Sequence, residues 1–196
     1  MQAVLRPSNR LLQILPAAEL QSLLPHLETV DLAKGAVLTE AGAPIPSVYL
    51  PHSGVISMMV SLSEGQTVEV AMVGRDSLVG GATAFDDGPA LTEATVVVPG
   101  TASILKAEDL RAAADRSGIL RGLLSRHEQA LLAQAQQSAA CNASHSADRI
   151  DDHRVSHERK NFRVTRAVTV SKGTRQLQTF FLSMRHVRLL ACARMV

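Results

Sequence analysis

Residues 79–96 hold two short segments, Val79-Gly80-Gly81-Ala82 and Leu91-Thr92-Glu93-Ala94-Thr95-Val96, and their reading decides the fold. They close a series of strand-like pieces that glycine punctuates at Gly35, Gly42, Gly54, Gly65 and Gly74. From Glu28 to Leu105 apolar residues recur with period two, in short runs rich in Val, Ile and Met. Side chains alternate across a strand, so in Thr67-Val68-Glu69-Val70-Ala71-Met72 the residues Val68, Val70 and Met72 point one way and Thr67, Glu69 and Ala71 the other. Short β-branched runs at a spacing of roughly 8–12 residues, each bounded by Gly, Pro, Asp or Ser, predict a sandwich, barrel or jelly roll. Lys34-Gly35 and Glu64-Gly65 read as hairpin turns with a positive φ at the glycine. Pro51-His52-Ser53-Gly54 and Val98-Pro99-Gly100 read as corners.

Helical patterns flank this region. Asn9 to Leu15 predicts a short helix capped by Asn9 and closed by Pro16. Pro16 also opens a second helix, in which Glu19, Leu20, Leu23 and Leu24 recur at helical spacing until about Leu27. After Leu105, Ala107–Ala114 reads as one helix and Ile119 to about His145 as a long one. Ile119, Leu120, Leu123, Leu124, Leu131 and Leu132 cluster in its first four turns, whereas the later turns are small and polar. One side of such a helix is too apolar for water, and a single sandwich would not cover its whole length. Two readings follow: a dimerisation helix with a seam through Leu120, Leu124, His127 and Leu131, or a helix packed back on its own sandwich. The expected fold is therefore mainly β with α. It is a jelly roll flanked by short helices (1–116), a long dimerisation helix (117–146) and a divergent basic tail (147–196).

With 196 residues, 46% of them hydrophobic, the chain can bury a sizeable core. Cys141 and Cys192 have no close partner in sequence, which fits a reducing cytosol and is too few for an iron–sulfur cluster. The absence of a signal peptide and of an apolar run of roughly 18 residues leads us to expect a cytoplasmic protein with no membrane span. The net charge of +2 hides an asymmetry: residues 1–147 carry 9 Lys/Arg against 14 Asp/Glu, and residues 148–196 carry 11 against 4. An acidic body with a basic tail is the charge pattern of a nucleic-acid binder.

The glycine-punctuated strands and the segments at 79–96 together resemble the cyclic-nucleotide-binding jelly roll of the Crp/Fnr family of bacterial transcription regulators. In that family the first segment usually reads Phe-Gly-Glu, whose Glu accepts a hydrogen bond from the ribose. The second reads Arg-x-Ala-x-Val, whose Arg neutralises the cyclic phosphate. The resemblance implies a ligand pocket at Val79, Gly80, Gly81, Ala82, Thr92, Glu93 and Ala94, with Gly81 in the place of the Glu and Thr92 in the place of the Arg. A cyclic phosphate must be met by a cation or by several backbone N–H groups. Near these segments only Arg75 is cationic, whereas Asp76, Asp86, Asp87 and Glu93 are acidic, so no cofactor is expected and a cyclic nucleotide is disfavoured.

The same resemblance implies that the long helix pairs two copies into a homodimer, and the segment Arg126–Asn142 is similar to one bacterial branch of the family. It covers about residues 10–146. In this branch a winged helix-turn-helix should follow, but residues 150–196 contain a single glycine, Gly173, and no recognition helix. Thr179 to Leu190 reads as one modest helix or strand.

Other constellations are sparse. Cys141/His145 and His153/His157 have metal-compatible i, i+4 spacing, but nothing fixes a third ligand, so they read as surface or interface residues. His52 sits where a cupin-like sandwich places a metal ligand, without a His-x-His beside it. No nucleophile elbow, P-loop or His-Glu-x-x-His occurs, and no enzyme is expected. The functional expectation is the sensor and dimerisation part of a regulator whose DNA-binding half is degraded; the alternative is a non-DNA-binding partner of full-length relatives. A basic tail without a reading helix engages phosphates alone. Selection from random duplexes is expected to enrich no palindromic site, and any binding should fall steeply with salt.

Overall fold

The computed structural model describes residues 8–63 and 65–144. The expected tail at 147–196, with His153 and His157, lies outside the described residues, as do His145 and the side chain of Cys141. Helices α1 (Arg10–Gln13) and α2 (Ala17–Leu23) precede seven strands. These are β1 (Glu28–Leu32), β2 (Val37–Thr39), β3 (Ser47–Pro51), β4 (Val55–Ser61), β5 (Thr67–Val73), β6 (Glu93–Val98) and β7 (Gly100–Lys106). Helices α3 (Ala107–Arg116) and α4 (Gly118–Ser144) follow. The strands form two antiparallel sheets, β1-β7-β3 and β2-β6-β4-β5, which is the jelly roll the period-two pattern predicts. Gly35 and Gly65 carry the positive φ expected of them, 83° and 77°.

Two apolar clusters hold the layers together. In the first, Leu11, Leu12, Leu20, Leu23, Leu110, Leu120 and Leu124 of the four helices pack on Val48, Leu50 and Leu105 of the three-stranded sheet. In the second, Leu32, Ile56, Val73, Ala94, Val96 and Ala102 fill the roll, and Leu131 of α4 packs against them. The long helix thus seals the first core with its opening turns and touches the second further along.

In β5 the fully buried positions are Glu69, Ala71 and Val73, with Val68, Val70 and Met72 half-buried. Alternation alone does not say which face is covered; packing does, and α4 lies against this strand. The buried Glu69 carboxylate accepts a 2.6 Å hydrogen bond from Ser57 Oγ.

Asn9 does more than its sequence position predicts. Its Oδ1 caps α1 by accepting from Leu11 N (2.9 Å) and Leu12 N (3.4 Å). Its Nδ2 also donates to Pro51 O (2.9 Å) and Ser77 O (3.0 Å), and the residue is 0% exposed. All four bonds of one amide are made, tying the N-terminal helix to the end of β3 and to the turn after β5. Asn9→Asp keeps the cap but faces two carbonyls with an acceptor. Urea unfolding is expected to show a loss of about 2–4 kcal/mol for Asn9→Asp, at least that of Asn9→Ala, because buried carbonyls left unpaired each cost about 1–3 kcal/mol. A residue acting only as a cap would tolerate Asp.

Candidate functional site

The turn Gly74–Leu78 leads from β5 directly into Val79-Gly80-Gly81-Ala82, and both flanking helices are fastened to it. From α1, Arg10 N donates to Arg75 O (2.7 Å) and Asn9 Nδ2 to Ser77 O (3.0 Å). From α4, the His127 ring lies 2.6 Å from Ser77 Oγ and accepts from Leu78 N (3.2 Å), both at Nε2. The next residue, Val79, then pairs with Tyr49 through two backbone bonds of 3.1 and 2.9 Å.

Gly80 has φ +88°, the left-handed region that favours glycine, and a Cβ there would lie 3.2 Å from Ser47 O. It starts a single 3-10 turn, Gly81–Ala84, that Thr83 stabilises by donating from Oγ1 to Gly80 O (2.7 Å). Gly81 is buried, and its lack of a side chain is filled from elsewhere. A Cβ at this position would lie 2.3 Å from Glu128 Oε1 and 2.7 Å from Leu78 Cδ1. The long helix therefore sets its own carboxylate against the position where the family's ribose-binding Glu is expected. Glu128 Oε1 also accepts from His127 Nδ1 at 3.1 Å.

The second segment is built differently. Thr92, in the place of the phosphate-binding Arg, is half-buried, and its carbonyl accepts from Thr39 Oγ1 at 3.5 Å. Glu93 is half-buried and accepts from Thr95 Oγ1 (2.8 Å), while Ala94 is 0% exposed inside the roll. Val79 is likewise core, and Ala82 is exposed. Of the expected pocket residues, Gly80, Gly81 and Ala82 share the turn facing α4, whereas Val79 and Ala94 serve packing. The apolar cavity beneath the helices and the open cleft between Ser47, Lys106 and Arg111 are lined by none of them.

Two residues of this site escaped sequence reasoning. Arg111 of α3 reaches back to clamp the loop after the 3-10 turn, donating to Thr83 O (2.9 Å) and Asp86 O (3.1 Å) and pairing with Asp87. The Asp87 hydrogen bond raises its already high pKa. Glu128 is the other. Both lie far along the chain from the residues they meet, and no local spacing announces them.

The expected seam of α4 is corrected. Leu120, Leu124 and His127 are each 2% exposed, because they face the chain's own helices and the 77–78 turn, and Leu131 is half-buried against the roll. The large apolar residues that α4 leaves exposed, among the described ones, are Ile119 and Leu132, at 57% and 58%. His52, read beside a cupin-like metal ligand, hydrogen-bonds Ser103 Oγ at 2.7 Å, and burial lowers its pKa. Among the described residues no three His, Cys, Asp or Glu converge on a metal-sized site. No helix there is long and apolar enough to cross a membrane.

Residues 29–117 match the family model of the cyclic nucleotide-binding domain. No curated protein matches the chain at a significant level. Among solved structures, the c-di-GMP-responsive global regulator CLP of Xanthomonas campestris aligns with a TM-score of 0.60 at 15% identity, over 73% of this chain and 72% of that one. The sensor domain of the regulator DNR from Pseudomonas aeruginosa aligns at 0.52 and 26% identity, over 62% and 82%. A regulatory subunit of a cAMP-independent protein kinase A from Trypanosoma brucei aligns at 0.55 and 15%, over 63% and 44%. The fold these matches define is a jelly roll of the cyclic nucleotide-binding type. More particularly, the chain carries a cyclic nucleotide-binding domain resembling the sensor domains of Crp/Fnr-type transcription regulators.

Restoring the family residue by Gly81→Glu is expected to lower the melting temperature and create no affinity for cAMP, since the new side chain meets Glu128 and Leu78. Gly81→Ala, which needs only the ends of those two side chains to move, should cost markedly less. Thermal unfolding of the two variants checks the order.

Proposed function

We propose that the chain is the sensor and dimerisation part of a Crp/Fnr-type transcription regulator, acting in the cytoplasm and answering a ligand or signal other than a cyclic nucleotide. The observation that carries this reading is Thr92, half-buried and uncharged where the resemblance places the phosphate-binding Arg. A cyclic phosphate is met by a cation or by several backbone N–H groups. Arg111 is held by Thr83, Asp86 and Asp87, and Thr92 offers no charge. The named relatives support a ligand that varies on a constant fold: CLP is described as responsive to c-di-GMP, and the trypanosome subunit as cAMP-independent. In such a device the ligand biases a two-state element, here α4, whose contacts run from the cassette turn along its length. Calorimetry with cAMP and cGMP is the test: no binding at about 1 µM or tighter is expected, and a micromolar constant for either overturns the reading.

Dimerisation through α4 belongs to the same reading. With Leu120 and Leu124 facing inward, the seam falls to an exposed side of α4 on which Leu132 lies. Sedimentation is expected to show a dimer at micromolar concentration. Leu132→Glu should shift it to a folded monomer, whereas Leu124→Glu should unfold the chain by burying an unpaired charge. A second reading rests on the missing recognition helix in residues 150–196: a partner that pairs with full-length relatives and carries no DNA-reading half of its own. Co-purification of a heterodimer that has lost operator binding distinguishes it.

A further inference from the structure

We propose that His127 is a proton-sensitive latch between the long helix and the turn that feeds the cassette. Its ring is 2% exposed, and its hydrogen bonds fix one tautomer. A backbone N–H can only donate, so the 3.2 Å contact from Leu78 N requires a bare Nε2. Ser77 Oγ, 2.6 Å away, then donates to the same atom. The ring proton resides on Nδ1 and is donated to Glu128 Oε1, 3.1 Å away. One neutral imidazole thereby joins α4 to Ser77 and Leu78, the residues that also receive Asn9 and precede Gly80.

Uptake of one proton from water at Nε2 converts the ring to imidazolium. Nε2 becomes a donor, so the Leu78 N–H loses its acceptor and faces another N–H. The Ser77 hydroxyl must rotate from donating to accepting. Glu128 keeps its bond to Nδ1 and now pairs with a positive charge, which holds the protonated ring on the helix side. Acidification thus releases the Leu78 amide from the ring, while the bonds to Ser77 and Glu128 persist with the first reversed in direction.

Charged groups nearby do not substitute for it. The turn carries Arg75 and Asp76, α3 carries Arg111 and Asp115, β5 carries Glu69, and the 3-10 turn Gly81–Ala84 carries no charge. Arg111 is tied to Asp87, Asp115 to Arg121 and Glu69 to Ser57, which leaves Glu128 as the carboxylate bonded to the ring.

The test is nuclear magnetic resonance on the full chain. The His127 nitrogens should report the Nδ1–H tautomer at alkaline pH and imidazolium on acidification. Protection of the Leu78 amide against hydrogen exchange, corrected for the intrinsic pH effect, should fall at least tenfold along the same titration curve. In His127→Gln, whose carbonyl still accepts from Leu78 N without titrating, protection should stay flat with pH. An Nε2–H tautomer, a ring that never protonates, Leu78 protection that is flat in wild type, or a pH-dependent fall in the Gln variant each overturns the latch. Should the Gln variant not fold, the two wild-type measurements decide alone.

Discussion

The constraint on which the rest depends is the buried polar junction at the turn Gly74–Leu78. A turn between a strand and a ligand cassette has backbone groups that neither sheet satisfies, and burial makes their pairing obligatory. Here they are paired by the two ends of the described chain. Asn9 and Arg10 arrive from α1, His127 arrives from α4, and Tyr49 holds the next residue. These partners lie about 30 to 68 residues away along the chain, and they meet only if the leucine core has first brought the helices onto the three-stranded sheet. Apolar burial supplies the drive, and the polar junction supplies the register.

That junction makes α4 part of the packed domain rather than an appendage. Its opening turns complete the leucine core through Leu120 and Leu124, and the next turn places His127 and Glu128 at the cassette. A shift of the cassette turn therefore strains contacts on the helix, and the reverse holds by the reciprocity of coupling. Gly81 is the counterpart of Glu128. The small residue and the carboxylate occupy one space between them, so a change at either position is felt at the other.

Much of the fold was legible locally. Period-two runs gave the strands, Gly35 and Gly65 gave hairpin turns with positive φ, and Asn9 announced a cap. The helix at Ile119 was expected from its spacing, and it spans Gly118–Ser144. The site was legible only as a location. Residues 79–82 and 92–94 were marked by resemblance, but the sequence could not show that Val79 and Ala94 serve the core while Gly81 accommodates Glu128. The same applies to α4, whose apolar residues are visible in sequence without any sign of what each one faces.

The sequence by itself determined the alternation of strands, the caps and breakers, the acidic body with its basic tail, and the substitutions at Gly81 and Thr92. Each of these depends on neighbouring residues or on composition, where physical preference is local. Only the tertiary structure decided that Leu120, Leu124 and His127 face inward, that Arg111 clamps the loop after the cassette, and that Glu128 fills the room beside Gly81. These outcomes depend on which surfaces the collapse of the chain brings together. A side chain's partners across 30 to 120 residues are set by packing, and the pattern of one segment carries no record of them.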